Sequence, residues 1–208
     1  MSWQGTGNTN QDFPGGTSIA AGLTAQIEAA GGSVTTDADA DADVAIVVFG
    51  ESPYAEMQGD IYSVAWSDQR GERALIKSLK ARGIPVVAVF LTGRPMWVND
   101  ILNDSAAFVV SWLPGSEGQG VADVLLADAQ GNLQFDFVGK LPMPWPALDV
   151  NAIDRDLPVD KFIFPIGYGL SVKDELAWSE LSEQLIGADN SLDQEIFKGG
   201  PRGNWQLF

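Results

Sequence analysis

Three stretches of this chain are nearly pure hydrocarbon: DVAIVVFG at 43–50, IPVVAVFL at 84–91 and AAFVVSW at 106–112. A strand with one wet face alternates apolar and polar residues; these do not alternate, so both of their faces must be covered. Their length and their β-branched content favour strand over helix. Helical periodicity lies between them. Residues 67–82, SDQRGERALIKSLKAR, open on a Ser-Asp cap, turn Leu75, Ile76 and Leu79 inward and stop at Gly83. VNDILN at 98–103 predicts a short helix, and EGQGVADVLLA at 117–127 another. Upstream, residues 17–30 place Ile19, Leu23 and Ile27 on one face, with Thr17 or Ser18 as N-cap and Gly31-Gly32 as the stop; SVTT at 33–36 predicts a short strand. Buried strands alternating with helices predict an α/β fold: a mostly parallel, doubly wound sheet with helices on both faces.

From residue 133 the period changes. LQFDFVGKLPMPWP and FIFPIGYGL are punctuated by glycine and proline, predicting peripheral antiparallel or irregular strands, and residues 175–186 fit either an amphipathic helix or an extended segment. Residues 1–190 are expected to form one domain, and 191–208 a linker or the truncated start of a following module. With Trp3 at one end and NWQLF at the other, both ends read as cut, so a larger protein is expected around this piece.

Composition removes several functions. There is no cysteine and no histidine, so thiolate chemistry, Ser-His or Cys-His dyads and cysteine zinc sites are absent from the chain, and proton transfer falls to carboxylates. With 28 acidic against 12 basic residues the net charge is −16, which disfavours nucleic acid and anionic membrane as partners. A neutral sugar needs no charge match. The apolar runs are too short to span a bilayer, and MSWQGTG has neither the basic nor the apolar region of a signal peptide. No cofactor is expected.

The alternating aspartates Asp37, Asp39, Asp41 and Asp43 suggest a calcium loop, but its sixth and twelfth positions need glycine and glutamate and here hold Ala42 and Val48. A solvated connection is expected instead, and no metal. The glycines of GSEGQG at 115–120 precede a helix, yet Glu117 among them repels phosphate, so they are read as a tight entry into a packed helix. The remaining feature is FGESPYAEMQGD at 49–60, which leaves the first buried strand and at once presents Glu51, Tyr54, Glu56 and Asp60. Ligands of open α/β sheets bind beyond the carboxyl ends of strands. A carboxylate there with a raised pKa serves as acid or base. The residues alone lead to a candidate carboxylate site.

Six motifs in order, SWQGTGNTN, VVFGESPYAEMQGD, LTGRPMWV, SWLPGSEGQGVADVL, VGKLPMPWP and FPIGYGLS, closely resemble the second, α/β-sandwich domain of glycoside hydrolase family 3, in its exo-β-glucanase and β-glucosidase branch. The resemblance covers roughly residues 1–172. It implies an active site shared with a preceding (β/α)8-type barrel domain that carries an aspartate nucleophile and is missing from this chain. It implies Glu56 as acid/base and Trp3 as half of an aromatic clamp on the sugar. Tyr54 is expected either to line the cleft or to pack against the barrel, and Glu51 and Asp60 to support the loop. Arg94 in TGRP and Glu117 belong to family motifs and are expected to form turns or pack between domains. Trp66, Trp97, Trp112, Trp145 and Trp178 are expected in the core or an interface. The implied substrates are β-glucan oligosaccharides or β-glucosides, the implied location of the parent enzyme periplasmic or extracellular, and the isolated chain is expected to hydrolyse nothing. A non-catalytic sugar-binding or structural module is the alternative; a flavin or nucleotide binder has no phosphate-cradling loop to support it.

Overall fold

The computed structural model describes residues 9–54, 59, 61, 63–68, 70–149 and 162–185. Its elements, in chain order, are α1 (Ile19–Ala29), β1 (Ala45–Gly50), α2 (Glu72–Ala81), β2 (Val86–Leu91), α3 (Asn99–Asp104), β3 (Ala107–Trp112), α4 (Gly118–Leu125), β4 (Trp145–Pro146) and β5 (Phe162–Phe164). The three apolar runs pair in parallel in the order β1-β2-β3, and β4 and β5 form a separate antiparallel pair. This is the predicted α/β fold with peripheral strands. SVTT, by contrast, is not a strand; β-branched residues make a strand only where a partner supplies the ladder.

Strand order that advances in one direction with right-handed crossovers puts both crossover helices on one face. The core shows this: Ile76 and Leu79 of α2 and Ile101 and Leu102 of α3 pack with Val47, Phe49, Ala88 and Phe90, alternate residues of β1 and β2. Aromatic rings run through this layer. Phe49 lies 4.9 Å from Trp66 and 5.1 Å from Phe90, and Trp145 contacts Phe90, Phe108 and Trp112. Trp66, Trp97 and Trp145 are buried as expected, whereas Trp178 is exposed.

Helices α1 and α4 pack together, with Leu23, Val121 and Ala122 buried. The GSEGQG glycines bring them close. Thr17 accepts from the Gly118 N–H and donates its own N–H to Ser116, and a Cβ at Gly118 would sit 2.3 Å from the backbone of Ser18 and Ile19. Ser18 caps α1 by accepting from the Ala21 N–H at 3.1 Å.

Helix α2 begins at Glu72 with Gly71 at its N-cap, about a turn beyond the Ser-Asp pair expected to cap it. The Asp68 carboxylate accepts from the N–H groups of Arg70, Gly71, Glu72 and Arg73 at 2.7–3.1 Å. Slight burial works against ionisation, but the contact with the Glu72 side chain and these N–H bonds bring the Asp68 pKa down to about 2. Residues 175–185 form neither helix nor strand. Their hydrogen bonds go to α3: the Asn103 amide both donates to the Leu181 carbonyl and accepts from its N–H, and Asn99 donates to Ser182 at 2.8 Å.

Two variants test this packing. Gly118→Ala pushes a methyl into backbone and is expected to destabilise by about 1–3 kcal/mol in urea denaturation, with a lowered midpoint and an unchanged slope. Asp68→Ala is expected to lose about 1 kcal/mol at about pH 6. A carboxylate with a depressed pKa stabilises above its ordinary value of 3.8 and ceases to do so as pH falls through about 2, so the gap between the two proteins should close across that interval.

Candidate active site

In the β1–β2 register Gly50 stands opposite Leu91, so the next residues, Glu51 and Thr92, emerge side by side at the carboxyl edge of the sheet. Only glycine fits at 50, since a Cβ there would lie 2.1 Å from the Leu91 carbonyl oxygen. The Glu51 N–H donates to that oxygen at 3.0 Å and the Thr92 N–H to Trp112 at 3.2 Å. The Trp66 indole N–H closes the corner by donating to the Gly50 carbonyl at 3.0 Å.

The Glu51 side chain is 7% exposed and fully engaged. Its Oε1 accepts from both Arg94 Nε at 2.9 Å and Nη2 at 2.7 Å, two charge-assisted bonds on one oxygen. Its Oε2 lies 2.7 Å from the Thr92 hydroxyl, which in turn accepts the Arg94 N–H at 3.1 Å. The remaining nitrogen, Nη1, donates to the Gly59 carbonyl. The guanidinium carbon lies 4.3 Å from the centre of the Tyr54 ring, within cation–π range. Tyr54 also rests on Gly59, where a Cβ would come within 2.5 Å of its ring. Burial, then the Glu51 charge, raises the Tyr54 pKa, and Arg94 opposes them.

Of the residues singled out in the sequence, Glu51 and Tyr54 are therefore brought together; Trp3, Glu56 and Asp60 lie outside the described residues. Arg94, assigned above to a turn or an interdomain contact, reaches inward to Glu51, Tyr54 and Gly59. One signal pointed there: a glutamate directly after a buried strand needs a cation, and TGRP directly follows the strand expected beside it.

Two other features are structural. Arg82 donates to the carbonyls of Ala38, Asp39 and Ala40 at 2.6–3.1 Å, and Asp37 accepts from the Asp39 N–H, so the aspartate run is a braced turn. Among the described residues no group of acidic side chains is placed to hold a metal. An open cavity of about 350 Å³ at the start of α2 and α3 is lined by Trp66, Arg73, Trp97, Asp100 and Glu183. Its two indoles are 4% and 3% exposed, so their faces are already covered by protein. No described helix is long and apolar enough to cross a membrane.

Residues 2–172 match the family model described as the glycosyl hydrolase family 3 C-terminal domain. The chain belongs to this family. Its structure is similar to the crystal structure of the exo-1,3/1,4-β-glucanase from a Pseudoalteromonas species, with a TM-score of 0.81 and 51% identity, over 89% of this chain and 24% of that one. Curated relatives include a lysosomal beta glucosidase of Dictyostelium discoideum, 35% identical over 50% of this chain and 12% of that protein. A periplasmic beta-glucosidase of Salmonella typhimurium is 31% identical over 62% of this chain and 19% of its own length. The family 3 domain thus spans a fifth or less of the curated relatives it matches.

Glu51→Ala leaves the Arg94 guanidinium, 20% exposed, without its carboxylate and is expected to destabilise the domain by about 3 kcal/mol. In a double-mutant cycle Arg94→Met in the same background should add much less than it does alone, read from urea denaturation of all four proteins.

Proposed function

We propose that this domain contributes the acid/base carboxyl, Glu56, to a retaining β-glucan exo-hydrolase or β-glucosidase whose aspartate nucleophile sits on a barrel domain of the same polypeptide. The observation that carries the reading is the anchoring, by one arginine, of both flanks of the segment 55–58 at the carboxyl edge of the sheet. The 51% identity to an exo-1,3/1,4-β-glucanase supports β-glucan oligosaccharides or β-glucosides as substrates. The periplasmic relative supports an export-side location, periplasmic or extracellular, for the parent enzyme.

Retention requires two carboxyl groups about 5–5.5 Å apart, one attacking the anomeric carbon and the other protonating the departing oxygen, then deprotonating the incoming water. On this reading Glu56 is the second group. Trp3 covers an apolar face of the sugar with its indole. Glu51 and Asp60 hold the loop, and Tyr54 either lines the cleft or packs at the barrel interface. The domain alone carries one half of the pair and is inert. Its net charge of −16 does not hinder a neutral glycan.

The decisive variant is Glu56→Gln in the polypeptide joined to its barrel domain. With an alkyl β-glucoside, whose leaving group needs a proton, kcat/KM is expected to fall by about 10²–10⁴-fold. With an activated aryl β-glucoside, whose leaving group departs unaided, it is expected to change little. Equal activity of variant and parent on the alkyl substrate rules out Glu56 as the acid and favours a non-catalytic module.

A further inference from the structure

We propose that the outer edge of β1 pairs with the same edge of a second copy of this chain, antiparallel about a two-fold axis, to make one continuous sheet. In the order β1-β2-β3, β1 is an end strand, and no strand or isolated bridge adjoins its outer side among the described residues. The N–H groups of Ala45 and Glu51 turn toward β2, donating to Pro85 and Leu91. By the alternation of a strand, the N–H and C=O groups of Ile46, Val48 and Gly50 turn outward. The Trp66 indole takes the Gly50 carbonyl. The Ile46 and Val48 groups are left as a short open ladder.

Edge strands are ordinarily guarded against such pairing by a charge, a proline or a bulge. At the other end of the sheet, β3 has a bulge: its register with β2 shifts at Phe90/Leu91, and Trp112 takes a left-handed φ of 49°. β1 has no such guard. Its residues AIVVFG are uncharged, its register is unbroken from Ala45 to Gly50, and Val48 in its middle is 37% exposed.

Charge selects the arrangement. Asp37, Asp39, Asp41 and Asp43 lead directly into β1, and a parallel pairing of two copies would stack these runs side by side. A two-fold axis instead sends each run to the other copy's carboxyl end, where Glu51 is already paired with Arg94. The same axis makes the edge self-complementary, each outward N–H meeting an outward C=O, with the exposed Val48 in apolar cross-strand contact. So short an interface lies below the standard size, and the net charge of −16 opposes it at long range, so the dimer is weak and salt tightens it.

The test is sedimentation velocity of the 208-residue chain. A monomer–dimer equilibrium is expected, with a Kd of about 10–100 µM in about 0.5 M NaCl and at least about threefold weaker in about 0.05 M NaCl. Val48→Lys is expected to raise Kd at least about tenfold. Val138→Lys, at an exposed apolar side chain outside the sheet, is expected to change it less than about twofold. Thermal unfolding checks that both variants fold. Amide exchange in the parent chain serves if Val48→Lys does not: the Ile46 and Val48 amides should slow by about fivefold or more as concentration rises through Kd. A chain still monomeric at about 200 µM in both salts overturns the inference, as does a dimer that Val48→Lys leaves intact or that Val138→Lys disrupts equally. Protection of the two amides at every concentration means that the chain covers its own edge, and the inference falls. Protection only in the polypeptide joined to its barrel domain, without dimers, makes a strand of that polypeptide the occupant, and the inference falls as well.

Discussion

Glu51 and Arg94 are 43 residues apart in the chain, and they meet because two parallel strands end level with one another. Sliding β1 by one residue would reverse the faces of all its side chains and carry Gly50 away from the Leu91 carbonyl it alone can approach. The register is held in turn by the core, where Val47 and Phe49 pack against α2 and α3. The pair itself adds little net stability. Removing both ions from water opposes most of their attraction. What the pair adds is a fixed point at the sheet edge, with both carboxylate oxygens and all three guanidinium nitrogens committed.

This fixed point is tied to the aromatic layer. The Trp66 indole bonds the last carbonyl of β1, packs its ring among Phe49 and Phe90, and carries Arg73 over its face at 5.1 Å. Arg73 in turn donates to the Trp66 carbonyl and pairs with Asp100 of α3. The chain thus leaves the sheet at Gly50 and returns at Trp66 with both points bound to the core. Other cations play similar internal parts: Lys80 joins α2 to Asp104, and Arg82 braces the aspartate turn. With so many of its 12 basic residues turned to structure, the protein presents an acidic face, which discourages polyanions and leaves uncharged ligands unaffected.

The sheet and its helices were legible because each depends on signals within a few residues: continuous β-branched runs for β1–β3, the Ser-Asp pair ahead of α2, the glycines at the entry to α4; that those glycines also admit α1 is a tertiary fact. SVTT was misread because a strand needs a partner, and no local feature supplies one. Residues 175–185 stayed ambiguous for a related reason. Their conformation is decided by the amides of Asn99 and Asn103, some 80 residues away, and side-chain hydrogen bonds to backbone leave no periodicity in the segment that receives them. At the site, Glu51 and Tyr54 stood out as costly residues to place after a buried strand. Arg94 looked like a turn residue because TGRP is one, and its side chain's reach toward β1 is a fact of sheet order that local spacing does not contain.

Splitting a pair of catalytic carboxyls between two domains, as the proposed function requires, imposes a physical condition on each. The two groups share no backbone, so their separation is set by the domain interface and by how stiffly each domain holds its own member. Flexibility in either loop adds directly to the uncertainty in distance, and proton transfer tolerates little of it. A loop tethered only by its own turn would move with the interface. Here Glu51 and Gly59, on either side of residues 55–58, are both bonded to one arginine at the level where the adjacent strands end.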